Sequence, residues 1–161
     1  VEGLPEIEVH SLGSPTAPAD LDTRREVVRI AEDMVGREYS YGGKTREITP
    51  KDIAIIASRT EQVSMLESLA ARQLRKATVG TADSLQGGQW PIAVAVDPLL
   101  GAHEASGHAL TQGRLCVMCS RHIGHLAFIT SDDVNTLLDE ADITKAERAL
   151  QRRLREELMQ A

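Results

Sequence analysis

Short apolar runs alternate along this chain with segments whose apolar residues recur at helical spacing. Residues 53–56 (Ile-Ala-Ile-Ile) and residues 92–96 (Ile-Ala-Val-Ala-Val) are continuous apolar runs, which is typical of parallel strands buried on both faces. Between them, residues 61–74 carry apolar positions at helical spacing, which predicts an amphipathic helix. This alternation indicates the doubly wound α/β class, in which helices cover both faces of a parallel sheet.

Weaker patterns extend this alternation toward both ends of the chain. We expect further strands at residues 7–10, 78–81 and 126–130, further helices at residues 22–36, 113–122 and 134–159, and polar connections at residues 11–19, 37–49 and 97–112. Asp20 or Asp22 can cap the first helix, and Gly36 is suited to end it. A length of 161 residues predicts one domain, residues 1–161, with residues 132–161 as a helical C-terminal extension.

Composition and charge narrow the possible partners. The formal net charge of -6 argues against a protein that coats nucleic acid by bulk charge, so any such contact must be local. The apolar runs are far shorter than the roughly 20 residues of a membrane span. Neither a signal peptide nor a disulfide framework is evident, so we expect a cytoplasmic protein without a membrane partner. Because the chain begins at Val1, we also expect it to be a fragment of a longer protein.

One short segment ends like a phosphate-binding loop. Residues 42–45 read Gly-Gly-Lys-Thr, the last part of a Walker A motif. The motif needs a glycine where Glu38 stands, and it must leave a buried strand, whereas this segment follows a predicted helix. The sequence therefore disfavours a phosphate loop here.

Two cysteines and two histidines are spaced three residues apart. Four ligands at such steps along one helix cannot converge on a tetrahedral ion, so a zinc site is disfavoured. We expect the cysteines to be small buried apolar residues, and we expect no redox pair in the middle of an apolar helix. The residues are Cys116, Cys119, His122 and His125.

Polar groups suited to phosphate follow two of the predicted strands. Arg59 comes directly after the strand at residues 53–57, at the edge of the sheet where α/β proteins bind ligands. It could equally be a surface arginine paired with Glu61. Residues 81–89 (Thr-Ala-Asp-Ser-Leu-Gln-Gly-Gly-Gln) crowd hydrogen-bonding side chains around Gly87 and its neighbour, which is more than a plain turn needs.

Two further arginines lie on or near the helix predicted at residues 113–122. Arg114 and Arg121 are seven residues apart, two helical turns, and so on nearly the same face. An arginine on a core-packed helix is rigid enough to reach across an interface to a phosphate. Alternatively, both arginines are structural and pair with acids such as Asp83 or Asp97.

These blocks resemble, in their order, the second RecA-like domain of superfamily 1 DNA and RNA helicases, in the AAA-type ATP-binding branch. Residues 81–89 are similar to motif V, Thr-x-x-x-x-Gln-Gly-x-Glu. Residues 114–122 (Arg-Leu-Cys-Val-Met-Cys-Ser-Arg-His) are similar to motif VI, Arg-Leu-Asn-Val-Ala-x-Ser/Thr-Arg-Ala. Residues 58–62 resemble motif IV. The similarity runs from about residue 52 to about residue 129, and it implies a RecA-like P-loop NTPase fold.

The resemblance implies a role for each group of residues. The γ-phosphate of ATP would be contacted by two arginine fingers, Arg121 and Arg59. The other residues that bind the nucleotide would be Gln86, Gly87, Gln89 and Arg114. The backbone of single-stranded nucleic acid, with DNA favoured over RNA, would be contacted by the hydroxyls of Thr81, Ser58 and Ser84.

The resemblance also implies a partner. In this family the Walker A lysine and the Walker B acid lie in a first RecA-like domain of the same protein, which would hold most of the ATP and its Mg²⁺. This chain alone is therefore expected not to hydrolyse ATP, although the complete protein would be an ATP-dependent helicase.

Two other functions stay open. Gln89 stands where the family usually has Glu, which favours a catalytically degenerate interaction module, whereas the intact Arg121 favours a motor. A nuclease-like enzyme would need clustered carboxylates for metal, and Asp83 and Asp97 are too isolated in sequence to favour it.

Overall fold

The computed structural model of the protein describes residues 1–13, 21–100 and 112–161. The strands are β1 (Ile7–Leu12), β2 (Glu38–Tyr41), β3 (Lys44–Glu47), β4 (Ile53–Ala57), β5 (Thr78–Thr81), β6 (Trp90–Val96) and β7 (His122–Ser131). The helices are α1 (Leu21–Glu32), α2 (Thr60–Gln73), α3 (Gln112–Cys119), α4 (Val134–Glu140) and α5 (Lys145–Gln160). Asp20 and most of the predicted connections at residues 11–19 and 97–112 lie outside the described residues.

Five strands form one sheet in the order β1-β7-β6-β4-β5, and all four neighbouring pairs are parallel. The predicted parallel α/β architecture is confirmed and is consistent with a RecA-like fold. From β4 the chain moves outward to β5 and then returns to the other side of β4 as β6. This reversal of strand order creates a crevice at the carboxyl ends of the strands, where open α/β sheets bind ligands.

Helices cover both faces of the sheet because the central strands are apolar on both. Every residue of β4 is buried. Ile53 and Ile55 pack on one face with residues of α1 and α2, and Ile56 packs on the other face with Leu115 and Met118 of α3. The alternation of side chains across a strand thus places the β4 residues in two separate cores.

The segment predicted as an exposed connection at residues 37–49 is instead mostly an antiparallel hairpin, β2–β3. Its two-residue turn consists of Gly42 and Gly43, with φ of 59° and 77°, values that glycine adopts without the strain a Cβ would cause. The hairpin packs on the sheet through Tyr39, which is buried. The Gly-Gly-Lys-Thr segment is therefore a hairpin turn, in agreement with the rejection of a phosphate loop.

The boundary between α3 and β7 lies earlier than predicted. The helix ends at Cys119, and the strand begins at His122, which pairs with Trp90 at the start of β6. Backbone pairing with β6 thus outweighs the helical spacing of this segment. As a result Arg121 is in the link between helix and strand rather than on the helical face that carries Arg114.

The C-terminal region forms two helices instead of one. At the start of α5 the Thr144 hydroxyl accepts a hydrogen bond from the Glu147 N–H (3.2 Å), and the Glu147 carboxylate accepts one from the Thr144 N–H (2.8 Å). Such a reciprocal cap fixes where a helix begins. Leu154 and Leu158 of α5 pack on the face of the sheet that α3 also covers.

Candidate functional site

A cleft of about 240 Å³ opens at the carboxyl ends of β4 and β5. The two strands end in register, with Ala57 opposite Thr81, so the residues that follow them meet at one edge of the sheet. Three separate stretches of sequence line the cleft, namely Ser58, Arg59, Thr60 and Glu61, then Thr81 and Asp83, and finally Arg114 from α3. The fold thus brings together, in one cleft, candidate residues that lie in three separate blocks of the sequence.

A ring of hydrogen bonds fixes the first residues after β5. The Thr81 N–H donates to Ser84 Oγ (2.9 Å), and the Ser84 N–H donates to Thr81 Oγ1 (3.1 Å). The Ser84 hydroxyl donates in turn to the Thr81 carbonyl (3.1 Å). A Cβ at Gly80 would lie 2.7 Å from Ser84 Oγ, so the ring needs glycine there. The Ser84 hydroxyl therefore donates its hydrogen bond within the turn. The Thr81 hydroxyl is only an acceptor in this ring, so its hydrogen can be donated into the cleft.

Arg114 contributes a largely buried positive charge. Its side chain is 13% exposed, and its Nε atom is buried without a hydrogen-bond partner in the described part of the chain. Its Nη1 atom lies 3.5 Å from Oδ2 of Asp83, whose side chain is 82% exposed. Arg114 therefore lies beside Asp83, one of the two acids with which a structural arginine was expected to pair. The contact is longer than a good hydrogen bond.

The beginning of α2 adds polar backbone to the same cleft. Arg59 is the N-cap residue, and its side chain does not cap the helix. The N–H groups in the first turn of a helix lack partners within the helix and carry the positive end of its dipole. Thr60 and Glu61, the first two residues of α2, line the cleft. Two arginines and a helix N-terminus make this edge of the sheet suited to an anion.

The remaining residues of interest lie at the opposite, amino edge of the sheet. The Trp90 N–H donates to the Arg121 carbonyl (2.9 Å), which places Gln89 and Arg121 beside each other at the starts of β6 and β7. The Trp90 ring lies on Gly88, where a Cβ would be 2.3 Å from its Cη2 atom. Gln89 is exposed, and Arg121 is half-buried with its Nε lacking a hydrogen-bond partner among the residues described.

Gln86 and Gly87 lie on the turn that runs between the two edges. The Gln86 N–H donates to the Asp83 carbonyl (3.3 Å), and Gly87 has a φ of 83° that favours glycine. The Gln86 side chain is exposed. The turn thus joins the cleft residues directly to the residues beside Arg121.

The structure does not bring Arg121 and Arg59 together. Arg121 precedes β7 at the amino edge, whereas Arg59 follows β4 at the carboxyl edge. The seven residues of β6 that separate these edges span roughly 20 Å at ~3.3 Å per residue. The two arginines therefore lie at opposite edges of this domain, which does not support the expectation that they act together on one γ-phosphate.

The cysteine and histidine series is divided between two elements. Cys116 is exposed, which contradicts the expectation that both cysteines are buried, because its position faces away from the sheet. Cys119 is half-buried, and burial raises the pKa of its thiol to about 12. His122 and His125 belong to β7. Within residues 1–13, 21–100 and 112–161 no group of three potential ligands is placed to hold a metal ion.

A buried ion pair, which the sequence did not indicate, occupies the carboxyl end of β6. Arg155 of α5 donates from Nε and Nη2 to the two carboxylate oxygens of Asp97 (2.8 and 2.7 Å). Thr130 and the Leu99 N–H also donate to this carboxylate. Asp97 is thus structural, with Arg155 rather than Arg114 or Arg121 as its partner. The weak signal for the pair is Gln151 and Arg155, four residues apart beside the leucine stripe of α5.

Comparison with known proteins finds no family model that matches this chain, and no curated protein matches it. In the described ranges, no helix has the length and apolar character needed to cross a membrane.

Proposed function

We propose that this chain is the second RecA-like motor domain of an ATP-dependent superfamily 1 helicase or translocase. The cleft at the carboxyl edge binds the phosphate backbone of a single strand. Arg121, at the amino edge, contacts ATP held with Mg²⁺ by a first RecA-like domain of the same protein. The motif similarity supports the family, and the positions of the cleft and of Arg121 at opposite edges of the sheet support two separate contacts.

The observation that carries this proposal is the convergence of three motif blocks on one cleft. Ser58 and Arg59 come from the block similar to motif IV, Thr81 from the block similar to motif V, and Arg114 from the block similar to motif VI. Arginine guanidinium groups and hydroxyls are common donors to phosphate oxygens, and they carry no sequence preference. With a net charge of -6 on the chain, such local contacts would have to supply the affinity.

Arg121 fits the second contact. It lies beside the exposed Gln89 at the end of the turn that begins in the cleft. An arginine supplied to a transferring phosphoryl group from outside the primary nucleotide site is worth roughly a thousandfold or more in rate. Movement of the turn at residues 82–89 would couple ATP contact at one edge to nucleic-acid contact at the other.

Salt-dependent binding of a fluorescent oligothymidylate to the full chain tests the cleft. Arg114→Ala and Arg59→Ala should each weaken binding by roughly tenfold, because each removes a charged hydrogen-bond donor. Each should also lower the slope of log affinity against log salt by about 0.7, the value for one phosphate contact on a single strand.

Arg25→Ala is the matched control, because Arg25 is an exposed arginine on α1 that pairs with Asp22 at 3.7 Å. It should change neither the affinity nor the slope. If it weakens binding as much as Arg114→Ala does, the protein attracts the strand by diffuse charge and the cleft has no special role.

A catalytically degenerate interaction module is the second candidate, and Gln89 favours it. A neutral amide stands where the family usually has a carboxylate near the metal-bound phosphate. Oligonucleotide binding without ATPase activity in the complete two-domain protein would favour this candidate over the motor.

A further inference from the structure

The Arg114 guanidinium is largely buried but makes few hydrogen bonds with the described residues. Its side chain is 13% exposed and its Nε is buried without a hydrogen-bond partner among the described residues. A guanidinium has five N–H donors, and a buried charge is stable only when it is paired and hydrogen-bonded. The cleft therefore holds a cation with unused capacity for an anion.

Asp83 is the acidic partner that Arg114 has in the described structure. The closest atoms, Nη1 of Arg114 and Oδ2 of Asp83, are 3.5 Å apart, and the Asp83 side chain is 82% exposed. Such a contact is a Coulombic attraction without hydrogen-bond geometry, and ion pairs open to solvent are weak. The carboxylate can therefore leave Arg114 at little cost.

The backbone around Asp83 is fixed while its side chain is not. Hydrogen bonds between Thr81 and Ser84 hold the backbone on both sides of Asp83, and the Asp83 carbonyl accepts a hydrogen bond from the Gln86 N–H (3.3 Å). Rotation of the side chain alone can move the carboxylate into solvent without disturbing Thr81 or the rest of the cleft.

We propose that Asp83 is an internal competitor for the phosphate group that the cleft binds. Its carboxylate holds Arg114 while the cleft is empty, and it rotates into solvent when a phosphate takes its place. This inference rests on the proposed function only in taking the cleft as an anion site. Two arginines and two carboxylates, Glu61 and Asp83, line the cleft, so Asp83 also limits how strongly the empty cleft attracts anions.

The test is anion affinity of the full chain with Asp83→Asn, which keeps the size of the side chain and removes its charge. One titration uses an oligothymidylate and a second uses inorganic phosphate. Removing the unit charge that competes for Arg114 at a solvated surface should tighten binding about three- to tenfold. Tightening for the oligonucleotide identifies backbone phosphate as the ligand, and tightening for inorganic phosphate alone identifies a free anion; either result supports the competition.

Asp22→Asn is the matched control, since Asp22 is 89% exposed and lies 3.7 Å from Arg25 on α1. It removes the same charge from the chain and should leave both affinities unchanged. A thermal melt of each variant establishes that folding is intact. In a second readout, the Arg114 Nε–H resonance should shift in Asp83→Asn before any ligand is added.

Two results overturn the proposal, and they differ in what they say of the cleft. If Arg114→Ala weakens binding but Asp83→Asn binds no more tightly than the wild type, the cleft binds anions and Asp83 does not compete. If neither the wild type nor Asp83→Asn binds either probe, the cleft is not an anion site, and its proposed role in binding nucleic acid fails as well.

Discussion

Asp97 at the end of β6 and Arg155 on α5 form a doubly hydrogen-bonded ion pair that is buried in the protein, with side-chain exposures of 0% and 4%. The pair joins residues 58 positions apart and ties the C-terminal helix to the carboxyl edge of the sheet. Gln151 also accepts from Arg155 (2.8 Å), so the charges are enclosed in a network of hydrogen bonds.

Removing one member of this pair should strongly destabilise the protein. Arg155→Ala leaves the Asp97 carboxylate buried and unpaired, and breaking such a pair costs about 3–5 kcal/mol. Urea unfolding followed by circular dichroism gives the change in the free energy of unfolding. Arg153→Ala on the exposed side of the same helix, where Arg153 pairs with Glu157, should cost less than about 1 kcal/mol. Equal losses in the two variants would show that α5 does not depend on the buried pair.

The contact between Gly88 and Trp90 should be sensitive to a single methyl group. A Cβ at position 88 would lie 2.3 Å from the indole ring, so Gly88→Ala must displace Trp90 or the turn. We expect a loss of about 1–3 kcal/mol, as for other overpacked sites, and a shift in the emission of the single tryptophan. Gly13→Ala, whose Cβ meets nothing within 4 Å, should leave the emission unchanged. An unshifted spectrum in Gly88→Ala would mean that the ring does not rest on this glycine.

His125 should make the protein less stable in mild acid. It is fully buried, its Nδ1–H donates to the Pro5 carbonyl (2.6 Å), and its Nε2 lacks a hydrogen-bond partner among the described residues. Burial lowers the pKa of His125 below its ordinary 6.5, against the opposing effects of the Pro5 hydrogen bond and Glu8. The unfolded chain therefore takes up the proton first, and the free energy of unfolding falls as the pH drops below about 6.5.

Urea unfolding at a series of pH values from about 8 to about 5 measures this loss. His125→Gln should remove the part of the pH dependence that His125 causes, whatever its effect on stability at neutral pH. A variant whose slope in this range equals that of the wild type would assign the acid sensitivity to another group.

Asp52 should give a second loss of stability at lower pH. Arg46 of the β2–β3 hairpin donates two hydrogen bonds of 2.7 Å to the Asp52 carboxylate. These bonds lower the pKa of Asp52 from 3.8 to about 2. The stabilisation is present above about pH 4 and is lost as the pH falls toward 2, because the unfolded chain is protonated first.

Asp52→Asn should therefore unfold with a shallower dependence on pH between about 4 and 2. Since Arg46 is half exposed, the effect at neutral pH should be on the order of 1 kcal/mol. If the free energy of unfolding of this variant fell between about pH 4 and 2 as steeply as that of the wild type, the Arg46–Asp52 pair would not hold the hairpin on the sheet.

The strand and helix patterns predicted the architecture because the central strands are apolar on both faces. A strand formed by the run at residues 53–56 can bury all of its side chains only in a sheet that is covered on both faces, and β4 is buried at every position. The hairpin at residues 38–47 was missed because its strands are mostly exposed and polar, so its signal is the Gly42-Gly43 turn rather than any hydrophobic alternation.

The sequence predicts the individual residues of the candidate site, but it does not predict how they are arranged relative to one another. Because Arg59 follows the run at residues 53–57, the sequence predicts its place at the carboxyl edge. Thr81 ends β5 at the same edge. The apolar residues 115–118 predict a helix that reaches Arg121, but pairing between His122 and Trp90 begins a strand there instead. The link between Asp97 and Arg155 depends on how α5 docks, which local patterns do not determine.

In the proposed function, nucleic acid and ATP contact this domain at opposite edges of its sheet. The most direct test is the nucleic-acid-stimulated ATPase activity of the two-domain protein that the proposed function requires, with Arg121→Ala, Arg114→Ala and the control Arg153→Ala. Arg121→Ala should lower kcat by roughly a thousandfold while oligonucleotide affinity stays at the wild-type value. Arg114→Ala should raise the oligonucleotide concentration for half-maximal activity about tenfold while kcat at saturation is kept. Activity in Arg121→Ala equal to that of the wild type, or loss of the same parameter in both variants, would contradict the account.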